Sequence, residues 1–217
     1  MNNKKLYSHI IWDWNGTLLD DKHWCIKVIN KMLKKRGAKE ILDITEYHNA
    51  FCFPIINFYK NIGFDFRLEK FEDVANEFIG LYHSEESIDY WKLHLNALNV
   101  LKYFQKINKI QVILSASQIT NLLSQVEIFD VKQYFAEILG LENIYAKSKI
   151  DIGLKYILQN RVDNGILIGD TEHDYEVSKE LNMDCLLIAN GHQDVDKLLH
   201  CNVPVLNDIS ELKEFIQ

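Results

Sequence analysis

Short apolar runs recur along this chain, each closing on polar or turn residues and each followed by a stretch with helical spacing. The first, Ser8-His-Ile-Ile-Trp-Asp-Trp14, is rich in β-branched and aromatic residues and stops at Asn15-Gly16, the composition of a buried strand running into a turn. Comparable runs lie at Gln111–Leu114, Gly165–Ile168, Asp184–Ala189 and Val203–Leu206. Helical patterns occupy Leu95–Ile107, Ile119–Phe129, Ile150–Asn160, Glu172–Leu181 and Ile209–Phe215. Apolar strands separated by helices predict a parallel sheet covered on both faces, the doubly wound, Rossmann-like α/β arrangement, with ligands at the carboxyl ends of its strands.

From Asp20 to His83 the alternation fails, because helical patterns follow one another with no strand between them. This predicts an α-helical insert, residues 20–83, after the first strand of a core made of residues 1–19 and 84–217. Its first helix carries Cys25, Val28, Ile29, Met32 and Leu33 on one face, has Asp21 at the N-cap position and ends at Gly37. A second begins near Thr45 and yields at Pro54, which cannot continue the backbone ladder. The third runs from Pro54 towards Gly63, with Ile55, Ile56, Phe58, Tyr59 and Ile62 available to pack. The fourth spans Leu68 to Tyr82 and spaces Leu68, Phe71, Ala75, Phe78 and Tyr82 as the stripe of a bundle core. Ser84-Glu-Glu-Ser87 reads as a linker back to the core.

With 47% hydrophobic and 25% charged residues over 217 positions, the chain can bury a substantial core and is not disordered. A formal charge of −7 argues against nucleic acid as a partner. The one basic cluster, Lys34, Lys35 and Arg36, falls in the last turn of the first insert helix, where cations complement the dipole. Four scattered cysteines, Cys25, Cys52, Cys185 and Cys201, lack any zinc or CxxC spacing and point to a reducing, cytoplasmic setting. The run Ile10–Trp14, broken by Asp13, is too short for a signal peptide or membrane span. A monomer or homodimer acting on a small molecule is expected.

Chemistry concentrates at two strand ends. Asp13-Trp-Asn-Gly-Thr-Leu-Leu-Asp20 follows a carboxylate with a glycine-containing turn that can aim backbone N–H groups at an anion. Gly16 permits positive φ and close approach of a phosphate, and Thr17 offers a hydroxyl. Alone, this octapeptide could be a plain turn. Ile168-Gly-Asp-Thr-Glu-His-Asp174 repeats the theme, with Asp170 and Asp174 four apart at a helix entrance, where both can face one way. Capping accounts for Thr171 and Asp174 but leaves Asp170 unexplained. Magnesium takes oxygen ligands, commonly one or two carboxylates with water and substrate phosphate, and Asp13 with Asp170 would supply the carboxylates. Between these loops Ser115 ends the strand Val112-Ile-Leu-Ser, and Ala146-Lys-Ser-Lys149 contributes a lysine.

In that order the four elements resemble the haloacid dehalogenase superfamily, whose motifs are an Asp-x-Asp-Gly-Thr-Leu-like loop, a strand-end Ser/Thr, a lysine and a Gly-Asp-x-x-x-Asp loop. The match spans Asp13 to Asp174. The insert looks like the small helical cap of the subgroup containing phosphoglycolate phosphatase and β-phosphoglucomutase. The resemblance implies a Mg²⁺-dependent phosphatase acting on a small phosphorylated metabolite through an aspartyl-phosphate on Asp13. By the same resemblance Asp13, the Asn15 carbonyl and Asp170 would bind the metal, and Asp174 would hold a metal-bound water. Gly16, Thr17, Ser115 and Ala116 would surround the phosphoryl group. Lys149 is preferred to Lys147 as the charge-neutralising lysine, because the helix from Ile150 would present it from its N-terminal end. Tyr47, His48, Phe51 and Phe53 lie where the second insert helix could line the entrance.

Position 15 departs from the family pattern, which has an aspartate there to protonate the leaving group and later activate water; Asn15 can do neither. General acid–base help is worth ~10²–10⁴ in rate, so slow turnover of alkyl phosphates and preference for aryl phosphates, acyl phosphates or anhydrides are expected. His23 and His48 are the insert histidines that could supply the missing proton. Two other readings are a phosphate-binding regulatory protein with decayed catalysis and a phosphonate hydrolase. The latter needs a Schiff-base lysine, for which Lys22, Lys27, Lys31 and Lys60 are available. Neither GxGxxG nor GxxxxGK[ST] follows the first strand, which disfavours a nucleotide-cofactor enzyme.

Overall fold

A computed structural model describes residues 6–142 and 149–217, so that Lys147 lies outside the described residues. The chain opens with β1 (His9–Trp12) and β2 (Leu19–Asp20), passes through α1 (Lys22–Lys35), α2 (Ile44–Ala50), α3 (Ile55–Asn61) and α4 (Phe71–Tyr82), and returns as β3 (Lys92–Leu93). Helix–strand pairs follow: α5 (Ala97–Lys106) with β4 (Ile110–Gln118), α6 (Ile119–Ile128) with β5 (Glu137–Leu141), and α7 (Lys149–Asn160) with β6 (Gly165–Gly169). The chain closes with α8 (Glu172–Glu180), β7 (Asp184–Ile188), α9 (Val195–Leu199), β8 (Val205–Leu206) and α10 (Leu212–Phe215).

Among the described residues six strands form one parallel sheet, in the order β5-β4-β1-β6-β7-β8. Ile11 of β1 lies opposite Val112 of β4 on one side and Leu167 of β6 on the other. All residues of β1 and β6 are buried, as strands covered on both faces must be. Connections diverge from β1 towards β4 on one side and β6 on the other, so a crevice opens at the carboxyl ends of these strands. The largest apolar cluster continues from the sheet through Trp12 and Trp14 into Trp24, Met32 and Tyr47, so the helices α1–α4 share a core with the sheet.

Several expectations need correction. β5 was not anticipated because Glu137-Ile-Leu-Gly-Leu141 is a half-covered edge strand with weak alternation. The two-residue strands β2 and β3 pair antiparallel, Leu19 opposite Leu93, at the root of the helical insert. α4 starts at Phe71 rather than Leu68, whose side chain is exposed. The stretch expected to be a linker is a 3₁₀ turn over Glu85–Asp89 in which Ser87 is buried and Glu86 receives both Lys27 and Lys31. Arg36 pairs with Glu69 (2.7 Å) and Glu77 (2.6 Å), which ties the basic cluster to α4 and its approach. Asp21 precedes α1 but makes no side-chain cap. No helix among the described residues is long and apolar enough to cross a membrane.

Candidate active site

β1 ends at Trp12, so Asp13 leaves the sheet at its carboxyl edge, its N–H donating to the Ile168 carbonyl of β6 (2.8 Å). β6 delivers Asp170 alongside, and Asp174 turns back from the first turn of α8. One carboxylate oxygen from each of the three lies within 4.8 Å of the others, and all three residues are buried. Lys149, the first residue of α7, is also buried; its ammonium donates to Asp13 Oδ1 (2.7 Å) and Asp174 Oδ1 (2.5 Å). The Thr17 hydroxyl donates to Asp170 Oδ1 (2.9 Å). Such crowding needs bare backbone. A Cβ on Gly191 would stand 2.0 Å from Asp170 Oδ2, and one on Gly16, where φ is +81°, would stand 2.2 Å from the same atom.

Asp174 reconciles two expectations. Its Oδ2 accepts the N–H groups of Asp170 (3.1 Å) and Thr171 (3.0 Å) and the Thr171 hydroxyl (2.6 Å), completing a capping box, while Oδ1 seats Lys149. One carboxylate therefore caps α8 and orients the lysine.

Three buried carboxylates thus crowd one ammonium, which bonds two of them, Asp13 and Asp174. Burial pushes the Asp13 carboxyl up to about 8; Lys149 opposes the rise, while Asp174 and Asp170 add to it. Asp170 is raised to about 6 by burial, despite His192 nearby. Burial would also raise Asp174, but Lys149 and the Thr171 hydroxyl hold it below the usual carboxylate range. Burial disfavours the Lys149 charge, yet Asp13 and Asp174 together raise its pKa. The surplus negative charge and an oxygen-only donor set are what a hard divalent cation such as Mg²⁺ requires.

Asn15 joins a different network. Its amide donates to Asp21 Oδ2 (2.8 Å) and Tyr82 (3.0 Å), and its oxygen accepts from Ser117 Oγ (2.8 Å). Asp21, expected to cap α1, instead accepts the Gly16 N–H (3.2 Å) and the Tyr82 hydroxyl and faces His192 Nε2 at 3.1 Å. His192 completes the tie through Nδ1 to Tyr47 (2.9 Å) and through its backbone N–H to Asp170 Oδ2 (2.7 Å). Burial would raise Asp21, but His192 and the surrounding donors hold it low. Burial would lower His192, but Asp21 raises it to about 9. Neither residue's role was legible in the sequence. The only signal available was that Gly191-His192-Gln193 follows another apolar strand at the same edge of the sheet.

This buried pair gives a pH signature. The raised His192 contributes stability that is complete below its ordinary value of 6.5 and is lost as pH climbs through about 9. The depressed Asp21 contributes stability that is present above 3.8 and disappears as pH falls below it. Between about pH 6 and about pH 9.5 the Tm of the wild type should therefore fall more than that of His192→Gln. Parallel Tm profiles for the two proteins would show that the pair is not ionic.

These groups open on a cavity of about 410 Å³ that also reaches Ser115 and Ala116. Ser115 is buried, its hydroxyl accepting the Ser117 N–H (3.1 Å). Gly16 and Thr17 back the carboxylates from behind. Tyr47, Phe51 and Phe53 line the cavity, whereas His48 turns to the Gly191 carbonyl (3.1 Å) and His23 sits exposed on α1. Lys22 bonds Asp20 (2.7 Å) and the Asn190 carbonyl (2.8 Å), Lys27 and Lys31 hold Glu86, and Lys60 is exposed.

A family model described as haloacid dehalogenase-like hydrolase matches residues 10–188. No curated protein matches the chain. Among solved structures, a haloacid dehalogenase-like family hydrolase from Streptococcus pneumoniae is similar with a TM-score of 0.84 at 16% identity, over 97% of this chain and 99% of the other. A predicted phosphoglycolate phosphatase from Haemophilus somnus gives a TM-score of 0.79 at 12% identity, over 97% and 98% of the two chains. Protein Tyrosine Kinase A from Mycobacterium tuberculosis gives 0.81 at 19% identity, over 96% and 97%. At such identities the likeness is one of fold.

Proposed function

Since the chain belongs to the haloacid dehalogenase-like hydrolases, we propose that it is a Mg²⁺-dependent phosphatase that hydrolyses a small phosphorylated metabolite through an aspartyl-phosphate on Asp13. The observation that carries this reading is a carboxylate at the carboxyl end of the central strand, 2.7 Å from a buried lysine and within 4.8 Å of Asp170 and Asp174.

In this mechanism the Asp13 carboxylate attacks phosphorus in line, its new O–P bond forming as the bond to the leaving oxygen breaks, and water then cleaves the aspartyl-phosphate. Lys149 supplies positive charge beside the nucleophile, and its two bonds to Asp13 and Asp174 fix where that charge sits. The Ser115 hydroxyl, three residues before the end of β4 and on the cavity, donates to a phosphoryl oxygen. Bound Mg²⁺, held by Asp13, Asp170 and the Asn15 carbonyl with Asp174 behind, would screen the approach of a carboxylate to an anionic phosphate. Residues 20–83 act as a cap over a core of residues 1–19 and 84–217, with Tyr47 and Phe51 in the roof of the cavity.

Asn15 has no proton to give, and its amide is committed to Asp21 and Tyr82, so alkyl esters should turn over slowly. Retention of nucleophile, lysine and both metal-side carboxylates favours an enzyme over a phosphate-binding regulator. Among the described residues Lys149 is the only lysine on the cavity, which gives a Schiff-base phosphonate hydrolase no support. Phosphate release from a panel of phosphorylated metabolites should require Mg²⁺ and stop on chelation. Equal turnover by the folded protein in chelator would overturn the proposal.

A further inference from the structure

Charge is confined to one end of the cavity. Past Asn15 and Ser117 the described walls are mostly apolar, relieved by the amides of Gln118 and Asn121, and are dominated by rings: Phe51 beyond α2, Phe58 and Tyr59 on α3, and Phe71, Phe78 and Tyr82 on α4. The rings meet one another in sequence: Phe51 and Phe58 at 5.2 Å between centroids, Phe58 and Tyr59 at 5.6 Å, Tyr59 and Phe71 at 6.1 Å, Phe78 and Tyr82 at 5.5 Å. At about 410 Å³ the space lies in the range of about 300–1,000 Å³ typical of small-molecule sites.

Among the described residues, no cation on this lining is free to receive a second anion. Lys149 is bound to Asp13 and Asp174, and His192 to Asp21. Burial lowers His83 to about 4, which leaves it neutral. His173 stacks on Phe53 at 4.7 Å and has Glu176 3.4 Å from its Nδ1. There is no arginine among the described lining residues. A leaving group with a carboxylate, such as that of phosphoglycolate, would bury its charge beside Asp21 with only the neutral amides of Gln118 and Asn121, and no described cation, to receive it, which is costly. A flat neutral ring would meet offset and edge-on faces instead, the arrangements aromatic groups favour.

Position 15 points the same way independently. A phenolic oxygen departs without a proton far more readily than an alkoxide, so an aryl ester is the kind of ester that least needs the missing acid. Resting on the phosphatase reading, we propose that the substrate is the phosphate ester of a neutral aromatic alcohol, its oxygen attached directly to the ring and its ring held between α3 and α4. The Asp13–phosphorus bond forms as the bond to the aryl oxygen breaks. The phenolate takes its proton from water, and a second water releases inorganic phosphate from Asp13.

Binding and turnover test this separately. With Mg²⁺ present, calorimetry on the full chain should find phenylphosphonate, which carries no cleavable ester, binding at least about tenfold tighter than phosphonoacetate. Phenyl phosphate should show a KM at least about tenfold below that of acetyl phosphate, an activated substrate without a ring. Ala75→Arg, which sets a cation in the chamber wall, should reverse the order of the two phosphonates, and Phe78→Ala should weaken phenylphosphonate alone. Equal or tighter binding of phosphonoacetate by the wild type, with acetyl phosphate still hydrolysed, would overturn the aryl assignment and leave the phosphatase reading intact. Mg²⁺-dependent turnover of neither phenyl phosphate nor acetyl phosphate would overturn the phosphatase reading, and a preserved preference for phenylphosphonate would then leave the chamber as a binding site only.

Discussion

Asp13→Asn is expected to reduce phosphate release by at least ~10⁴-fold, because an amide cannot attack phosphorus and the remaining machinery then has no nucleophile to serve. The substitution should leave the fold intact. Asparagine keeps the shape of the side chain, Lys149 keeps its 2.5 Å bond to Asp174, and one of three crowded carboxylates is neutralised. In chelator, where Lys149 alone only partly offsets the mutual repulsion of Asp13, Asp170 and Asp174, Tm should be equal to or higher than that of the wild type. Phosphate release with Mg²⁺ and melting curves without it read the two halves of this expectation. Residual activity within about a hundredfold of wild type would place the nucleophile elsewhere.

Asn15→Asp is expected to act in the opposite direction, raising kcat/KM for a neutral alkyl phosphate such as ethyl phosphate by ~10² or more while changing phenyl phosphate by less than about tenfold. The new carboxyl would stand where the amide now lies 2.8 Å from Asp21 Oδ2. Two carboxylates at that separation cannot both ionise comfortably, so one keeps a proton. His192 holds Asp21 in its charged form, which leaves the proton on residue 15, held towards Asp21 on a cavity-lining carboxyl that can serve as a general acid. Ser117 would still donate to the second oxygen and hold its orientation. The ratio of ethyl to phenyl phosphate turnover in the two proteins is the measurement, and an unchanged ratio would show that position 15 does not limit alkyl esters.

Much of this site was legible because its residues sit at places where local patterns converge. Asp13 and Asp170 end fully buried strands, an expensive position for a carboxylate without a task, and Lys149 opens a helix at the correct edge of the sheet. The strands missed were those without a two-sided apolar signature: β5 at the sheet edge, and the two-residue ribbon of β2 and β3. Asp21 was misjudged because its position before α1 is also that of an N-cap, and only tertiary contacts with Asn15, Tyr82 and His192 turn it inward. His192 lies 145 residues from Tyr47 and 22 from Asp170, separations at which no periodicity or spacing rule operates.

The four residues Asn190 to Gln193 fasten more of the molecule than their number suggests. Asn190 accepts Lys22, Gly191 accepts His48, His192 grips Asp170, Asp21 and Tyr47, and Gln193 accepts the first N–H of α8. Alteration of His192 would disturb the carboxylates and Tyr47 in the roof together. Substitutions that reshape the pocket while sparing this anchor would fall on Phe58, Phe71 and Phe78, side chains that form the far wall and cannot hydrogen-bond to the acidic centre. The scaffold separates a fixed keystone from a surface free to vary.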